Sequence, residues 1–466
     1  MIVDPPAETL VIPVPPTTTG FKGWLKRTVF LGQEPTPELL AILLVYFVQG
    51  ILGLARLAVS FFFKDELGLT PAEVAALMGI VALPWVLKPL FGLLSDSLPL
   101  FGYRRRSYLI LSGFLGCGAW VYLALGVTAP WQATLAIALS SLAIAVSDVI
   151  VDSLVVERAR GESASTAGTL QSLCWGATAV GGIITAYFSG QLLAHFSTDT
   201  IFLITATFPL LVSGVAGLIH ETPLRERPKL SATWTHILDV AQALKQKQIW
   251  LPVGFLFLWQ ATPSSDSAFF FFTTNELGFD PEFLGRVRLV TSLAALLGVW
   301  IFQRFLRGLP VRTIFLWSTV LSAALGMTTL LLVTHANRGL GIDDHWFSLG
   351  DSLILTVMGQ IAFMPVLVLA ARLCPPGIEA TLFALLMAIS NLANLVSHET
   401  GALLTHWLGI SDQEFGRLWI LVVVANLSTL LPLPLLNWLP DQAPTFPTPV
   451  SADIAEGSEL ESITSG

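Results

Sequence analysis

Apolar runs long enough to cross a bilayer, about 20 residues each, recur from one end of this chain to the other, separated mostly by short loops in which arginine and lysine gather. Backbone placed in hydrocarbon must satisfy its own hydrogen bonds, so only helices or closed barrels remain as spanning structures. Continuous apolar runs of this length, without strict two-residue alternation, select helices. The totals agree: 54% of the 466 residues are hydrophobic and 12% are charged, against roughly 25% charged in soluble domains. The fold class expected is therefore all-α and polytopic, with spans near residues 38–62, 73–97, 107–127, 131–156, 166–194, 200–220, 249–274, 283–305, 311–333, 349–373, 378–406 and 416–438. The seventh and eleventh are the weakest, because polar residues interrupt both.

Basic residues accumulate on cytoplasmic loops. A cytoplasmic N-terminus puts most of the 24 lysines and arginines on that side, among them Lys22, Lys26, Arg27, the run Arg104, Arg105, Arg106, then Arg158, Arg160, Arg304 and Arg312. Both termini are then cytoplasmic, in a protein of the plasma (inner) membrane. The longest internal connection, 221–248, divides the chain into six spans and six. The expected domains are a disordered tail with an interfacial helix at 1–36, a six-helix bundle at 37–220, a cytoplasmic linker at 221–248, a second six-helix bundle at 249–438 and an acidic tail at 439–466. Paired bundles of this kind characterise transporters built from repeated halves. The net charge of −8 comes with no basic face, which excludes a nucleic-acid partner. Cys117, Cys174 and Cys374 have no metal-ligand spacing and read as packing residues. No metal, cofactor or catalytic set is expected, so the chain is not read as an enzyme.

Ionisable side chains are costly in hydrocarbon and usually face the bundle interior. Asp148 and Asp152, four apart in span four, share a helix face. They suit a proton carrier, or a clamp on a basic residue. Arg56 in span one can grip an anionic substrate or pair with Asp148 or Asp266. Span seven carries Gln260 and Asp266 around Pro263, which removes a donor and breaks the helix; broken helices expose backbone groups for ligands. Trp259 and Phe269 flank that break as stacking or packing rings. In span eleven, Asn391 and Asn394 share a face with His398 and Glu399 one turn on. Asp351 and Gln360 in span ten are weaker candidates. Lys88 and Asp96 of span two, with Arg104, Arg105 and Arg106, form a candidate gate.

The stretch "KPLFGLLSDSLPLFGYRRRSYLILSG" places Gly92, Asp96, Gly102 and the arginine run in the pattern of the major facilitator superfamily signature, with extra residues Ser97 to Phe101 between Asp96 and Gly102. That departure, together with "SDVIVDSLVVERAR" from Ser147 to Arg160, closely resembles the folate–biopterin transporter family. The resemblance covers about 37–438. It implies twelve helices in the major facilitator fold and a monomeric secondary transporter for folates or pterins such as biopterin. Protons are the implied coupling ion and lipid the surroundings. Another organic anion or an amino-acid-like solute, or a receptor or scaffold without transport, are the other functions a chain of this composition allows.

Overall fold

The computed structural model describes residues 24–440, apart from residues 25, 27 and 31 and the segments 160–163, 224–244, 307–308 and 373–378. The N-terminal tail with most of its interfacial helix, most of the linker, Cys374, Arg160 and nearly all of the acidic C-terminal tail lie outside them.

Among the described residues, 10 helices are long and apolar enough to cross a membrane. They are α1 (Pro37–Glu66), α2 (Pro71–Ser97), α3 (Arg106–Leu125), α4 (Pro130–Ala159), α5 (Ala164–His195), α6 (Thr198–Leu218), α8 (Pro281–Leu306), α9 (Val311–Val333), α10 (Asp344–Arg372) and α12 (Leu418–Trp438). The two other helical units are the ones the sequence marks as weak. The seventh is split into α7a (Lys247–Gln260) and α7b (Asp266–Phe271), and the eleventh, α11 (Glu379–Trp407), is long and carries polar residues within its apolar run. These two units pack on each other. The Ser264 N–H, released by the break, donates to the Ser397 carbonyl at 3.0 Å, and Ser397 Oγ donates to the Thr262 carbonyl. Gly401 lies so close to the Ser264 carbonyl that any side chain there would strike it. Helix α11 therefore satisfies the backbone that Pro263 leaves open, as non-helical backbone at membrane depth requires.

Local sequence explains several joints. Thr70 caps α2 by accepting from the Glu73 N–H while Glu73 reaches back to the Thr70 N–H at 2.8 Å, a reciprocal capping box. Pro84 and Pro89 lie on either side of a bend at Leu87, where α2 changes direction between Val86 and Lys88. The extra residues after Asp96 form a tight reversal. Leu100 and Tyr103 exchange both backbone hydrogen bonds, at 3.0 and 2.9 Å, around Phe101 and Gly102. Both central residues have positive φ, 53° and 83°, the signature of a type I′ turn.

A repeat is visible in the two halves. α1 ends in a π turn at Phe62–Glu66, followed by Leu67, Gly68 at φ 63° and a Thr-Pro start to α2. α7b ends in a π turn at Phe272–Glu276, followed by Leu277, Gly278 at φ 69° and an Asp-Pro start to α8. The positive φ calls for glycine at each position. The two turns meet: Lys64 Nζ donates to Asn275 Oδ1 at 2.9 Å, and the rings of Phe61 and Phe270 stand edge to face at 5.3 Å. These turns mark what is called the far face below; the face with Arg104 to Arg106 is the basic face. The structural repeat thus lies between spans one and two and between spans seven and eight.

Candidate functional site

The bend at Leu87 aims Lys88 toward α4. Its ammonium bonds Asp148 and lies 3.6 Å from Asp152. From α1, the Tyr46 hydroxyl donates to Asp152. Asp148 and Asp152 do share one helix face, and three helices from the first half converge on them. The Lys88 ammonium also lies over the Trp85 ring, 5.2 Å from its centroid. Asp148 is enclosed, with its side chain 10% accessible, whereas Asp152 at 48% reaches open space. With both carboxylates ionised, the cluster carries one negative charge more than its lysine offsets. Binding one proton makes it neutral.

A second node sits nearer the basic face. Arg105 reaches Asp96 of α2 at 2.9 Å, Glu157 of α4 at 2.8 Å and Ser95 Oγ at 3.2 Å. Just beyond the end of α6, Glu221 accepts backbone N–H bonds from Arg104 at 2.6 Å, from Arg105 at 3.1 Å and from Arg106 at 3.0 Å. It caps α3 with a negative charge where the helix leaves N–H groups unpaired. Arg158 of α4 donates to Thr36 Oγ1 at 2.8 Å, tying the end of α4 to the start of α1.

Of the residues expected to form a gate, Arg105 pairs with Asp96, whereas Lys88 stands apart from them with the two aspartates of α4. Asp148 therefore pairs with Lys88, not with Arg56. Arg104 and Arg106 touch Glu221 through backbone N–H groups, and Arg106 lies over the Tyr103 ring at 5.3 Å. Gln260 Oε1 accepts from Ser390 of α11, within the second half. Asp266 starts α7b, its N–H donating to Ser264 Oγ at 3.1 Å. Asn391 of α11 crosses between halves, donating to the Trp85 carbonyl at 3.1 Å. Asn394 is exposed, and His398 and Glu399 are half-buried. Glu399 packs on Gly79 of α2, where a methyl group would collide with its carboxylate. The Lys88 cluster and the α11 residues are thus separate groups, with Trp85 touching both. Trp259 packs: its indole N–H donates to Thr319 Oγ1 at 2.9 Å and its ring stands on Phe315. Asp351 accepts from Thr328 and Thr329, at 2.5 and 2.8 Å, a contact internal to the second half.

Tyr46, Glu157 and Glu221 escape a sequence reading. Tyr46 stands in an uninterrupted apolar run, and Glu157 and Glu221 look like ordinary span-end charges. Among the described residues, no group of three or more His, Cys, Asp or Glu side chains is placed to hold a metal ion. Cys117 and Cys174 are free thiols, half-buried and buried.

Solved structures share the architecture. The nucleoside transporter NupG superposes with a TM-score of 0.65 at 15% identity, covering 86% of this chain and 98% of that one. A D-xylose-proton symporter gives 0.63 at 15% identity, covering 88% and 100%. The fold is thus that of all-α polytopic membrane transporters. Among curated sequences, a folate-biopterin transporter of Synechocystis sp. is 63% identical over 423 residues, 91% of this chain and 86% of the relative. A probable folate-biopterin transporter of Arabidopsis thaliana is 30% identical, covering 86% of this chain and 95% of the relative. A folate transporter of Plasmodium falciparum is also 30% identical, covering 86% and 88%. With the BT1 family model matching residues 49–453, this chain belongs to the BT1 family of folate–biopterin transporters.

Proposed function

We propose that the chain is a secondary transporter of folates and pterins, working as a proton symporter by alternating access. The substrate class is supported by kinship with the Synechocystis relative. The coupling reading is carried by one observation: two carboxylates, Asp148 and Asp152, share a single ammonium at membrane depth. An unbalanced charge opposes enclosure in low dielectric, so a proton on the aspartate pair favours closing the path around it. The aspartate pair takes one proton between its two carboxyls, and Tyr46 orients that of Asp152. Loading substrate and proton together lets the halves rock, and release of the proton on the other side resets the cluster. Arg105, Asp96, Glu157 and Glu221 keep the basic ends of α2, α3, α4 and α6 moving as one body.

The same reading places twelve spans in two six-helix bundles, 37–220 and 249–438, the broken seventh and the eleventh completing the second bundle. It places both termini and the basic face in the cytoplasm of a plasma-membrane protein that works as a monomer. Asn391, Glu399, Gln260 and Asp266 face substrate from the second bundle, and the 221–248 linker joins the two.

The test is tritiated folate uptake by transport-deficient bacteria expressing the full chain, at two external pH values and with a protonophore. Uptake that rises at acid pH and collapses with the protonophore is expected. Uptake indifferent to both would remove the proton from the mechanism. No uptake of folate or biopterin, with the chain in the membrane, would remove the substrate class.

A further inference from the structure

Two arginines in the far half of the membrane stand apart from every cluster above. Arg56 is on α1, ten residues before its far end at Glu66, and Arg288 is on α8, seven residues after its far start at Pro281. At about 1.5 Å per residue, both sit roughly 10–15 Å below that face. Helix α5 brings them together. Gly53 of α1 rests on Thr185 of α5, a Cβ there lying 3.2 Å from Thr185 Oγ1. The turn at Leu52–Leu54 is 3₁₀, so residues three apart come nearly into line, and Arg56 lies over the face that meets α5. On the other side, Gly190 of α5 crosses Gly285 of α8 so closely that a Cβ on either would come within 2.8 Å of the other's Cα. Arg288 is one turn from Gly285 on the same face. The two arginines, one from each half of the sequence, thus stand at similar depth on helices that both pack against α5.

Neither guanidinium has a hydrogen bond or ion pair among the described residues. Only their carbonyls are engaged, by Ser60 at 3.1 Å for Arg56 and by Thr291 and Ser292 at 3.0 and 2.8 Å for Arg288. The contrast with Arg105, Arg158, Arg286 and Arg338 is plain: each of those bonds a carboxylate or an oxygen of the protein. Two like charges carried at similar depth by helices that pack on α5, each with a planar fork of donors and no acceptor among the described residues, match an anion with several oxygens.

We propose that Arg56 and Arg288 are the two arms of an anion site between the halves, and that it takes a short dicarboxylate such as the glutamate end of a folate. The glutamate assignment rests on the transport reading above; the two-armed anion site does not. One carboxylate faces each half, so the ligand turns a repulsion between halves into a bridge. A pterin without the glutamate end engages neither arm.

The full-length chain, purified in detergent, is heated with glutarate or with its neutral match, glutaramide, and folate uptake is measured in parallel. Glutarate is expected to raise the unfolding temperature by about 2 °C at saturation and glutaramide to leave it unchanged. Arg56→Gln and Arg288→Gln are each expected to lose that rise. Each is also expected to raise the KM for folate about ten- to hundred-fold, the cost of one charge-assisted contact. Arg56→Lys and Arg288→Lys keep the charge and check that a loss is not misfolding; partial recovery is expected. No stabilisation of the unaltered chain by glutarate, or equal stabilisation of the glutamine variants, overturns the site. Stabilisation by glutarate in a chain that takes up no folate keeps the anion site and overturns the folate assignment alone.

Discussion

The Lys88 and Arg105 nodes have the same formal composition. Each has one cation from the α2–α3 region, two carboxylates and one hydroxyl, and each joins α2 to α4. They differ in cation shape and in enclosure. Arg105 spreads a planar fork over Ser95, Asp96 and Glu157, and its two carboxylates are half accessible, 53% and 50%. Water offsets the extra negative charge there, and the node acts as a rivet. Lys88 is a point charge on a flexible stem, and Asp148 beside it is enclosed. There the extra charge has no water to spread into on one side, and a proton is the natural way to remove it. Equal charge counts therefore give a fastening at one depth and, on the function proposed above, a proton site at another.

Four substitutions break or sharpen that contrast. The largest effect is expected from Lys88→Met, which leaves an enclosed carboxylate without its cation, a loss of about 3–5 kcal/mol. Thermal unfolding of the purified variant measures it, and the double variant K88M/D148N should recover much of it because the stranded charge is gone. Arg105→Ala should cost less, about 2–3 kcal/mol, since its carboxylates keep access to water; unfolding temperature again reports it, with the pH dependence of uptake retained in what folds. Asp148→Asn should leave stability within about 1 kcal/mol yet abolish acid-stimulated uptake. An Asp148→Asn protein that still accumulates substrate with a normal pH profile would reduce the Lys88 node to a second rivet. The smallest change is expected from Glu221→Gln, which keeps the acceptor oxygen and loses the charge that caps α3, about 1 kcal/mol by melting.

Much of this molecule is legible in its sequence, for reasons that also mark the limit. Spans are set by local apolarity, so ten emerge at membrane-crossing length among the described residues, and the two that polar residues interrupt are the two units that pack on each other. The four-residue spacing of Asp148 and Asp152 places them on one face from helix geometry alone. Their partner is a different matter. Lys88 stands eight residues before Asp96, and nothing local says that a bend at Leu87 will send it to α4 instead. Tyr46 and Glu221 act across more than a hundred residues of chain, where only the assembled bundle decides who meets whom. The repeated turn is legible after the fact, because Glu-Leu-Gly recurs at Glu66–Gly68 and Glu276–Gly278 with a proline three residues on. Arg56 is conspicuous in the sequence as a charge in an apolar run; its proposed partner Arg288 is not, since α8 alone makes Arg288 look like a span-end charge.

The crossing of Gly190 and Gly285 has a practical use. Two backbones touch there without side chains between them, so a leucine at either position acts as a wedge driven between the halves on the far face. A carrier wedged in this way is confined to conformations open on that side. Ligand binding and proton binding could then be titrated on a population that does not turn over, separating affinity from translocation in a single polypeptide.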